Sequence, residues 1–384
     1  MHEVSLNTIA ASGKRLNQTL VNDVLIDCEP VRSFPVIRPN ELHIIYNYDY
    51  EDHPRGCGFD HTNALKLIRR RYRSSSCIRV FANDVVCALR TDHWQNLPEF
   101  EFFRQLQSSM PKTPCKFYHS QNLPHSEWAD HYLYSWLDKF EKFSAEPQLD
   151  SVSIPHSDFS SAVKALSCLN ATGRPHRIIF AILLVNTDCV LSYRDVLDPD
   201  YAWSKLGFEL SELTPTIRRQ YEKNLPVARR KFDVADKFVS NQQLKDHVRS
   251  SKGITESIQL IQQSFCHIIT DDPFGSSWPR ITEKTLKPMI AQRPFLMLGA
   301  QGNLAWLRSK GFRTFDKWWD ESYDQQSDKK RLQSVYKIAM HIDSLSMKQR
   351  QDLLEQMQPV LDHNLRHLKA FHTLTYNNIK GSKQ

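Results

Sequence analysis

The chain has 384 residues, more than one hydrophobic core usually holds, so two domains of ordinary size are expected. Its composition, 40% hydrophobic and 24% charged, is that of a folded globular protein and argues against a disordered chain. The formal net charge of +7 is too modest to indicate nucleic-acid binding by itself. Residues 1–150 hold 17 of the 50 Lys and Arg but 19 of the 43 Asp and Glu. We therefore expect a phosphate-bearing ligand in the second half of the chain.

The cysteines and the apolar runs bear on the cellular compartment of the protein and on whether it spans a membrane. None of the eight cysteines forms a Cys-x-x-Cys pair, which argues against a zinc module and against a disulfide framework. A reducing cytoplasm is the simplest location. The first 20 residues lack the layout of a signal peptide, and the longest apolar run, 178–185, is too short to cross a bilayer. We expect no membrane span.

The first half of the chain alternates between strand and helix patterns. Residues 1–40 show no clear pattern, and the next segments are rich in β-branched and aromatic residues or have helical periodicity. The predicted strands are 42–48, 77–81 and 85–89, and the predicted helices are 63–72, 99–109 and 126–143. This alternation predicts an α/β domain over residues 1–150, followed by a polar linker at 144–155 with two prolines.

A second alternation follows the linker. We predict a helix or a strand start at 159–166, a buried strand or helix at 178–185, and a loop at 225–238. Further strands are predicted at 189–193, 266–270 and 294–298, and further helices at 214–223, 253–261, 304–309 and throughout 329–371. The pattern predicts a second α/β domain at 156–330 and C-terminal helices at 331–384.

Two charged segments in the second half are candidates for ligand binding. The first, LNATGRPHR at 169–177, combines a small glycine-containing turn with Arg174 and Arg177, whose guanidinium groups suit phosphate oxygens. Taken alone, such a segment is more often a solvated basic turn. The second, ITEKTLKP at 281–288, is a charged helix start that precedes the apolar strand RPFLMLG at 293–299. Thr282 and Glu283 could instead only cap this helix.

These segments resemble the donor-binding part of fucosyltransferase-like GT-B glycosyltransferases, especially those encoded by phages and viruses. The order Thr-Glu-Lys, short helix, apolar strand and glycine carries the resemblance, which continues to about residue 330 and starts near 165. It implies an α/β GT-B fold, in which two Rossmann-like domains face a cleft and a helical tail follows. It also implies sugar transfer from a nucleotide-sugar co-substrate, without a further cofactor and without a metal.

The resemblance assigns roles to individual residues. Asn170, Arg174 and Arg177 correspond to donor-phosphate contacts, and Tyr193 to a wall for the nucleobase. Thr282, Glu283 and Lys284 correspond to further donor-binding residues. Glu283 corresponds to an acid that binds sugar or ribose hydroxyls, and Lys284 to a lysine at the pyrophosphate, where a cation stabilises the leaving group. His176 could be a packing residue.

The sequence offers weaker candidates for a metal site and for a catalytic base. Asp198 and Asp200 have Asp-x-Asp spacing, and Asp271 is followed by Asp272, but neither pair has an obvious third ligand, so no metal is predicted. An inverting enzyme needs a carboxylate base. Asp49, which follows the first predicted strand and precedes a glycine-rich turn, is favoured over the other loop acids, which are Glu51, Asp52 and Asp84.

The acceptor is left open by the sequence. The basic run Arg69, Arg70, Arg71 and Arg73 is usually a solvated face, but it could bind an anionic acceptor. DNA containing hydroxymethylated cytosine, as used by related phage enzymes, and a glycan are both candidates. The alternatives are a non-catalytic nucleic-acid-binding protein, for which no known binding motif is present, and a degenerate GT-B domain that serves as a scaffold.

Overall fold

The structure is a computed structural model, in which the chain divides into two compact units. It describes residues 4–9, 15–21, 24–27, 41–47, 65–66, 68–69, 77–83, 98–119, 127–128, 162–171, 173–193, 197–232, 251–272, 274–277 and 279–380. The first unit comprises Met1–Asp138 and Phe371–Gln384, and the second comprises Lys139–Ala370. The second unit thus includes most of the C-terminal helical segment that begins near residue 331.

The first unit is built on a seven-stranded sheet with the strands in chain order. The strands are β1 (Val4–Ile9), β2 (Arg15–Val21), β3 (Val24–Asp27), β4 (Glu41–Asn47), β5 (Cys77–Asn83), β6 (Cys115–His119) and β7 (Glu127–Trp128). Pairing is antiparallel from β1 to β3 and parallel from β3 to β7. Helix α1 (Pro98–Ser109) precedes β6 and buries Phe102 and Leu106.

Most sequence predictions for this unit agree with the structure. The strands at 42–48 and 77–81 and the helix at 99–109 are confirmed, and the described residues of 63–72 are helical. The predicted helix at 126–143 is wrong at its start, because Glu127–Trp128 extends the parallel sheet beside β6. Strands β1 to β3 fall in the segment for which no prediction was made. The predicted strand at 85–89 lies outside the described residues.

The second unit is built on a four-stranded parallel sheet with the order β11-β10-β8-β9. Its strands are β8 (Lys164–Asn170), β9 (Cys189–Tyr193), β10 (Ser264–Thr270) and β11 (Phe295–Leu298). Its helices are α2 (Pro175–Leu184), α3 (Pro199–Leu206), α4 (Pro215–Phe232), α5 (Ser251–Gln262), α6 (Glu283–Ile290), α7 (Asn303–Ser309), α8 (Asp328–Ser344) and α9 (Met347–Lys380). The protein therefore has an α/β fold, and this unit is Rossmann-like.

Apolar composition explains the interior of this unit. Every residue of β10 and β11 is buried, as is expected of parallel strands that are covered on both faces. The apolar run at 178–185 belongs to α2, which starts at Pro175 in the first helical turn and buries all residues from His176 to Leu184. In the described part of the chain, no helix has both the length and the apolarity that crossing a membrane requires.

Helix α4 corrects one sequence prediction. The segment 225–238 is predicted as a loop, but α4 continues through Pro226 to Phe232, and residues 233–238 lie outside the described residues. The buried positions Ile217, Tyr221, Asn224, Ala228 and Phe232 follow one another at spacings of three or four residues. This continuous inward face stabilises the helix despite the lost backbone donor.

Candidate functional site at the carboxyl edge of the four-stranded sheet

The ends of the central strands bring polar residues from distant parts of the chain together. Asn170 ends β8 and pairs in register with Tyr193, the last residue of β9, while Thr270 ends β10. The hydroxyl of Thr270 donates a hydrogen bond of 2.5 Å to Asn170 Oδ1. Because ligands of open α/β sheets bind outside the carboxyl ends of the strands, this edge is the first place to look for a site.

Two arginines at the start of α2 share a carboxylate that follows β10. Arg174 is the residue before the first helical turn, and its Nε lies 2.7 Å from Asp272 Oδ2. Arg177 Nη2 lies 3.9 Å from the same oxygen, and Arg177 Nε donates to the carbonyl of Thr270 at 3.0 Å. Both guanidinium groups are thereby fixed at the sheet edge, and Asp272 is their counter-ion.

The start of α6 contributes the second half of the site. Thr282 is the N-cap: its hydroxyl oxygen accepts from the Lys284 backbone N–H at 3.3 Å and donates to Asp271, whose two carboxylate oxygens lie 2.8 and 2.9 Å away. Lys284 Nζ donates to Glu283 Oε1 at 2.9 Å and lies 3.9 Å from Asp271 Oδ1. The capping role of Thr282 is confirmed, and the same residue links the helix to the sheet.

Adjacent aspartates join these two halves into one group. The Asp272 backbone N–H donates to Asp271 Oδ1 at 2.9 Å, so the acids that follow β10 contact the arginines on one side and α6 on the other. We call the group the edge cluster, which consists of Arg174, Arg177, Asp271, Asp272, Thr282, Glu283 and Lys284. It contains three cationic and three carboxyl side chains, so its own carboxyl groups offset much of its positive charge.

Burial and charge shift the pKa values of the three acids in different directions. Burial raises the pKa of the fully buried Asp271, and the negative charge of Glu283 adds to this, while Lys284 opposes it. Burial also acts to raise the pKa of Asp272, but Arg177 and Arg174 outweigh it and lower that pKa below its ordinary value. For Glu283, Lys284 and Lys287 overcome burial and lower the pKa to about 2. Asp272 and Glu283 are therefore anionic at neutral pH.

His176 lies beside the edge cluster as a buried aromatic residue. Its ring stacks on Phe274 with the centroids 5.0 Å apart, and the Arg331 guanidinium lies 5.0 Å from the centroid of the same Phe274 ring. Burial, followed by the charge of Arg177, lowers the pKa of His176 to about 3. The residue is therefore neutral at physiological pH and packs the wall of the site, in agreement with the packing interpretation.

The end of β11 needs a glycine because the neighbouring side chains are close. A Cβ atom on Gly299 would lie 2.8 Å from Asn303 Nδ2 and 3.2 Å from the Cβ of Asp271. Asn303 is fully buried, and its Oδ1 accepts from the Arg280 backbone N–H at 2.8 Å. Asn303 is not among the site residues predicted from the sequence, although an asparagine at a helix start is a common signal of local hydrogen bonding.

The Asp-x-Asp pair has a structural role. Asp198 is the N-cap of α3, and its Oδ1 accepts from the Tyr201 backbone N–H at 2.9 Å, while Asp200 follows in the first turn. Among the residues that the structure describes, no group of three or more His, Cys, Asp or Glu side chains is placed to hold a metal ion.

Not all predicted site residues lie in the edge cluster. Tyr193 is only 3% exposed, and its ring packs edge-on against Phe232 at 5.6 Å, whereas a wall for a nucleobase needs an exposed ring face. Arg69 is helical and exposed in the first unit. The remaining predicted residues, Asp49, Arg70, Arg71 and Arg73, lie outside the described residues.

Comparisons with protein-family models, with curated proteins and with solved structures found no significant match to this chain. What the edge cluster can do is therefore inferred from its own geometry and from the motif resemblance. Three fixed cationic groups and a helix N-terminus at the carboxyl edge of a parallel sheet form an arrangement suited to phosphate groups.

Proposed function

We propose that the chain is a glycosyltransferase that moves a sugar from a nucleotide-sugar donor to an acceptor without a bound metal, in a GT-B arrangement of its two α/β units. The observation that supports this most is the convergence of Arg174, Arg177 and Lys284 at the sheet edge beside the start of α6. A nucleoside diphosphate carries the charge that such a group of cations neutralises.

In the proposed reaction, the site stabilises the negative charge that develops on the leaving nucleoside diphosphate. The acceptor oxygen attacks the anomeric carbon, the bond from that carbon to the phosphate oxygen breaks, and the nucleoside diphosphate leaves with one more negative charge. Lys284 and the arginines stabilise this charge more strongly in the transition state than in the bound donor. Glu283 binds sugar or ribose hydroxyls, and Asn170 contacts the phosphates. In an inverting reaction a carboxylate such as Asp49 takes the acceptor proton.

The phosphates of a donor have to compete with the carboxyl groups of the edge cluster. Asp272 is 2.7 Å from Arg174, so phosphate oxygens compete with this carboxylate for the guanidinium N–H groups. The same contact holds the guanidinium at the sheet edge before the donor arrives, which lowers the entropy that binding must remove. Asp272 is therefore proposed as a positioning residue, which keeps Arg174 and Arg177 in place.

The proposed acceptor is hydroxymethylated-cytosine DNA or a glycan. The arginines Arg69, Arg70, Arg71 and Arg73 contact the acceptor if it is a polyanion. The motivation is the crowding of four arginines within five positions, which is unfavourable unless they are solvated or paired with anions.

The function is tested by incubating the full-length protein with a panel of nucleotide sugars, with and without DNA containing hydroxymethylated cytosine. Release of free nucleoside diphosphate and the mass of the DNA are then measured. We expect slow donor hydrolysis with one nucleotide sugar, reduced about 10²- to 10³-fold in a Lys284→Ala variant. If no nucleotide sugar is hydrolysed or transferred to any acceptor, including oligosaccharides, the glycosyltransferase proposal fails.

A further inference from the structure

Helix α4 carries a strongly basic outer surface that the edge cluster does not use. The helix contains six basic residues and one acid, Glu222. Five of the basic residues are exposed and form what we call the α4 ridge: Arg219, Lys223, Arg229, Arg230 and Lys231. The charge excess of the second half of the chain is thus concentrated on one surface element.

Local helix energetics do not account for the whole ridge. Arg229, Arg230 and Lys231 lie in the last turn, where positive charge interacts favourably with the helix dipole. Arg219 and Lys223 lie in the first half of the helix and are spaced four residues apart, which places two like charges side by side. Within the part of the chain that the structure describes, no ion pair joins any ridge residue to an acid. An external anion would relieve this repulsion.

The inner face of α4 fixes the ridge relative to the sheet. The side chain of Asn224 donates to the carbonyls of Ile182 and Leu183 at 3.0 and 2.9 Å, which anchors the middle of α4 at the end of α2. Phe232 packs against Tyr193, the last residue of β9. The last turn of α4 therefore lies at the same edge of the sheet as the edge cluster.

The buried inner face also narrows the class of partner. A helix that binds a membrane inserts an apolar face into the lipid, but the fully buried apolar residues of α4 face the protein interior: Ile217, Tyr221, Ala228 and Phe232. Of the exposed residues of α4, Arg219, Glu222, Lys223, Arg229, Arg230 and Lys231 are charged, and none is a large apolar residue. The ridge extends from residue 219 to residue 231, which is about 18 Å along a helix and corresponds to about five phosphates of a DNA strand at 3.4 Å each.

We propose that the α4 ridge is a binding surface for the phosphate backbone of nucleic acid, without sequence specificity. Arginine and lysine side chains that extend from a single rigid helix contact successive phosphates and release counterions. The inference does not depend on the transfer reaction, because the ridge would bind a nucleic acid whether or not the edge cluster binds a nucleotide sugar.

The test compares two triple variants of the full-length chain. The ridge variant carries Arg219→Gln, Lys223→Gln and Arg230→Gln, and the control carries Arg313→Gln, Lys337→Gln and Arg366→Gln. All six substituted residues are exposed, and each variant loses the charge of two arginines and one lysine. The match extends to local contacts, because Arg219 and Arg366 each donate from Nε to the carbonyl four residues earlier at 3.3 Å.

Binding of a fluorescein-labelled 20-base-pair DNA duplex is measured by anisotropy over a range of salt concentrations. We expect the ridge variant to lose about tenfold or more in affinity and its log–log salt slope to fall by about 2.7, while the control matches the wild type. Circular dichroism melting shows whether each variant is folded. Absence of duplex binding by the wild type, or equal binding by the ridge and control variants, overturns the inference. Binding to phosphatidylserine vesicles but not to the duplex overturns it in favour of a membrane surface.

Discussion

Lys284 lies within reach of two carboxylates, so its substitution changes both the charge balance of the edge cluster and, in the proposed function, the stabilisation of the leaving group. Its ammonium group is 2.9 Å from Glu283 Oε1 and 3.9 Å from Asp271 Oδ1, and the side chain is 26% exposed. Activity and stability are therefore both expected to respond, and they have to be measured separately.

For Lys284→Ala we expect turnover to fall about 10²- to 10³-fold, because one cationic contact to the developing charge is lost. The free energy of unfolding should fall by about 1–3 kcal/mol, since Glu283 loses a hydrogen-bonded counter-charge and the buried Asp271 loses a cation 3.9 Å away. Steady-state kinetics are measured well below the melting temperature, and chemical denaturation gives the stability. The matched control is Lys317→Ala, which removes an exposed lysine. Near-normal turnover of folded Lys284→Ala protein would contradict the assignment of this residue.

At the scale of single elements, the start of α6 depends on one hydroxyl group. Thr282 accepts from the helix backbone and donates to the buried Asp271, so the cap also satisfies a carboxylate that has no access to water. We expect Thr282→Ala to lower the free energy of unfolding by about 1–2 kcal/mol. Thr282→Ser, which keeps the hydroxyl, should retain most of the stability that Thr282→Ala loses. Urea denaturation of both variants measures this difference, and equal losses in the two would show that the hydroxyl is not responsible.

Elements with strong local patterns were predicted from the sequence, and those that depend on context were not. The strand at 266–270, the short helix after Thr282 and the strand at 294–298 are confirmed because each is bounded by clear signals. The loop predicted at 225–238 is wrong over residues 225–232, because the buried face of α4 outweighs the helix-breaking tendency of Pro226. Strands β1 to β3 were missed because they lack a distinctive alternation.

The candidate site was predicted in part for the same reason. Arg174 and Arg177 share one local motif, and Thr282 and Lys284 share another, so each pair could be identified separately. Their meeting depends on the parallel register of β8 and β10, which joins residues about 100 positions apart, such as Ser167 and His267. The role of Asp272 as counter-ion to both arginines could not be predicted without that register.

At the scale of the whole molecule, two buried histidines make folding sensitive to mild acid. Burial lowers the pKa of both His176 and His267 from 6.5 to about 3, with the nearby charges of Arg177 and Lys287 adding to the effect. The unfolded chain takes up these protons at a higher pH than the folded chain does. The contribution of the two histidines to the free energy of unfolding is therefore fully present above pH 6.5 and is lost as the pH falls towards 3.

Between about pH 6 and pH 5, where few carboxylates titrate, the two histidines should together contribute a slope of up to about 2.7 kcal/mol per pH unit. Replacing His176 with Leu should remove about half of this contribution. Denaturation curves at several pH values for the wild type and for His176→Leu measure it. An unchanged slope in the variant would show that His176 is protonated in the folded state.

The most direct test of the central claim is a calorimetric titration of the wild-type protein with GDP, UDP, ADP and CDP. We predict that at least one of them binds with a Kd below about 1 mM. Asp272→Asn removes the negative charge that competes for Arg174 but keeps an amide oxygen that can hold the guanidinium in place, so this variant should bind the same nucleotide several-fold more tightly. Asp316→Asn, an exposed control, should not differ from the wild type. If no nucleoside diphosphate binds below about 1 mM to the wild type or to Asp272→Asn, the edge cluster is not a donor-diphosphate site.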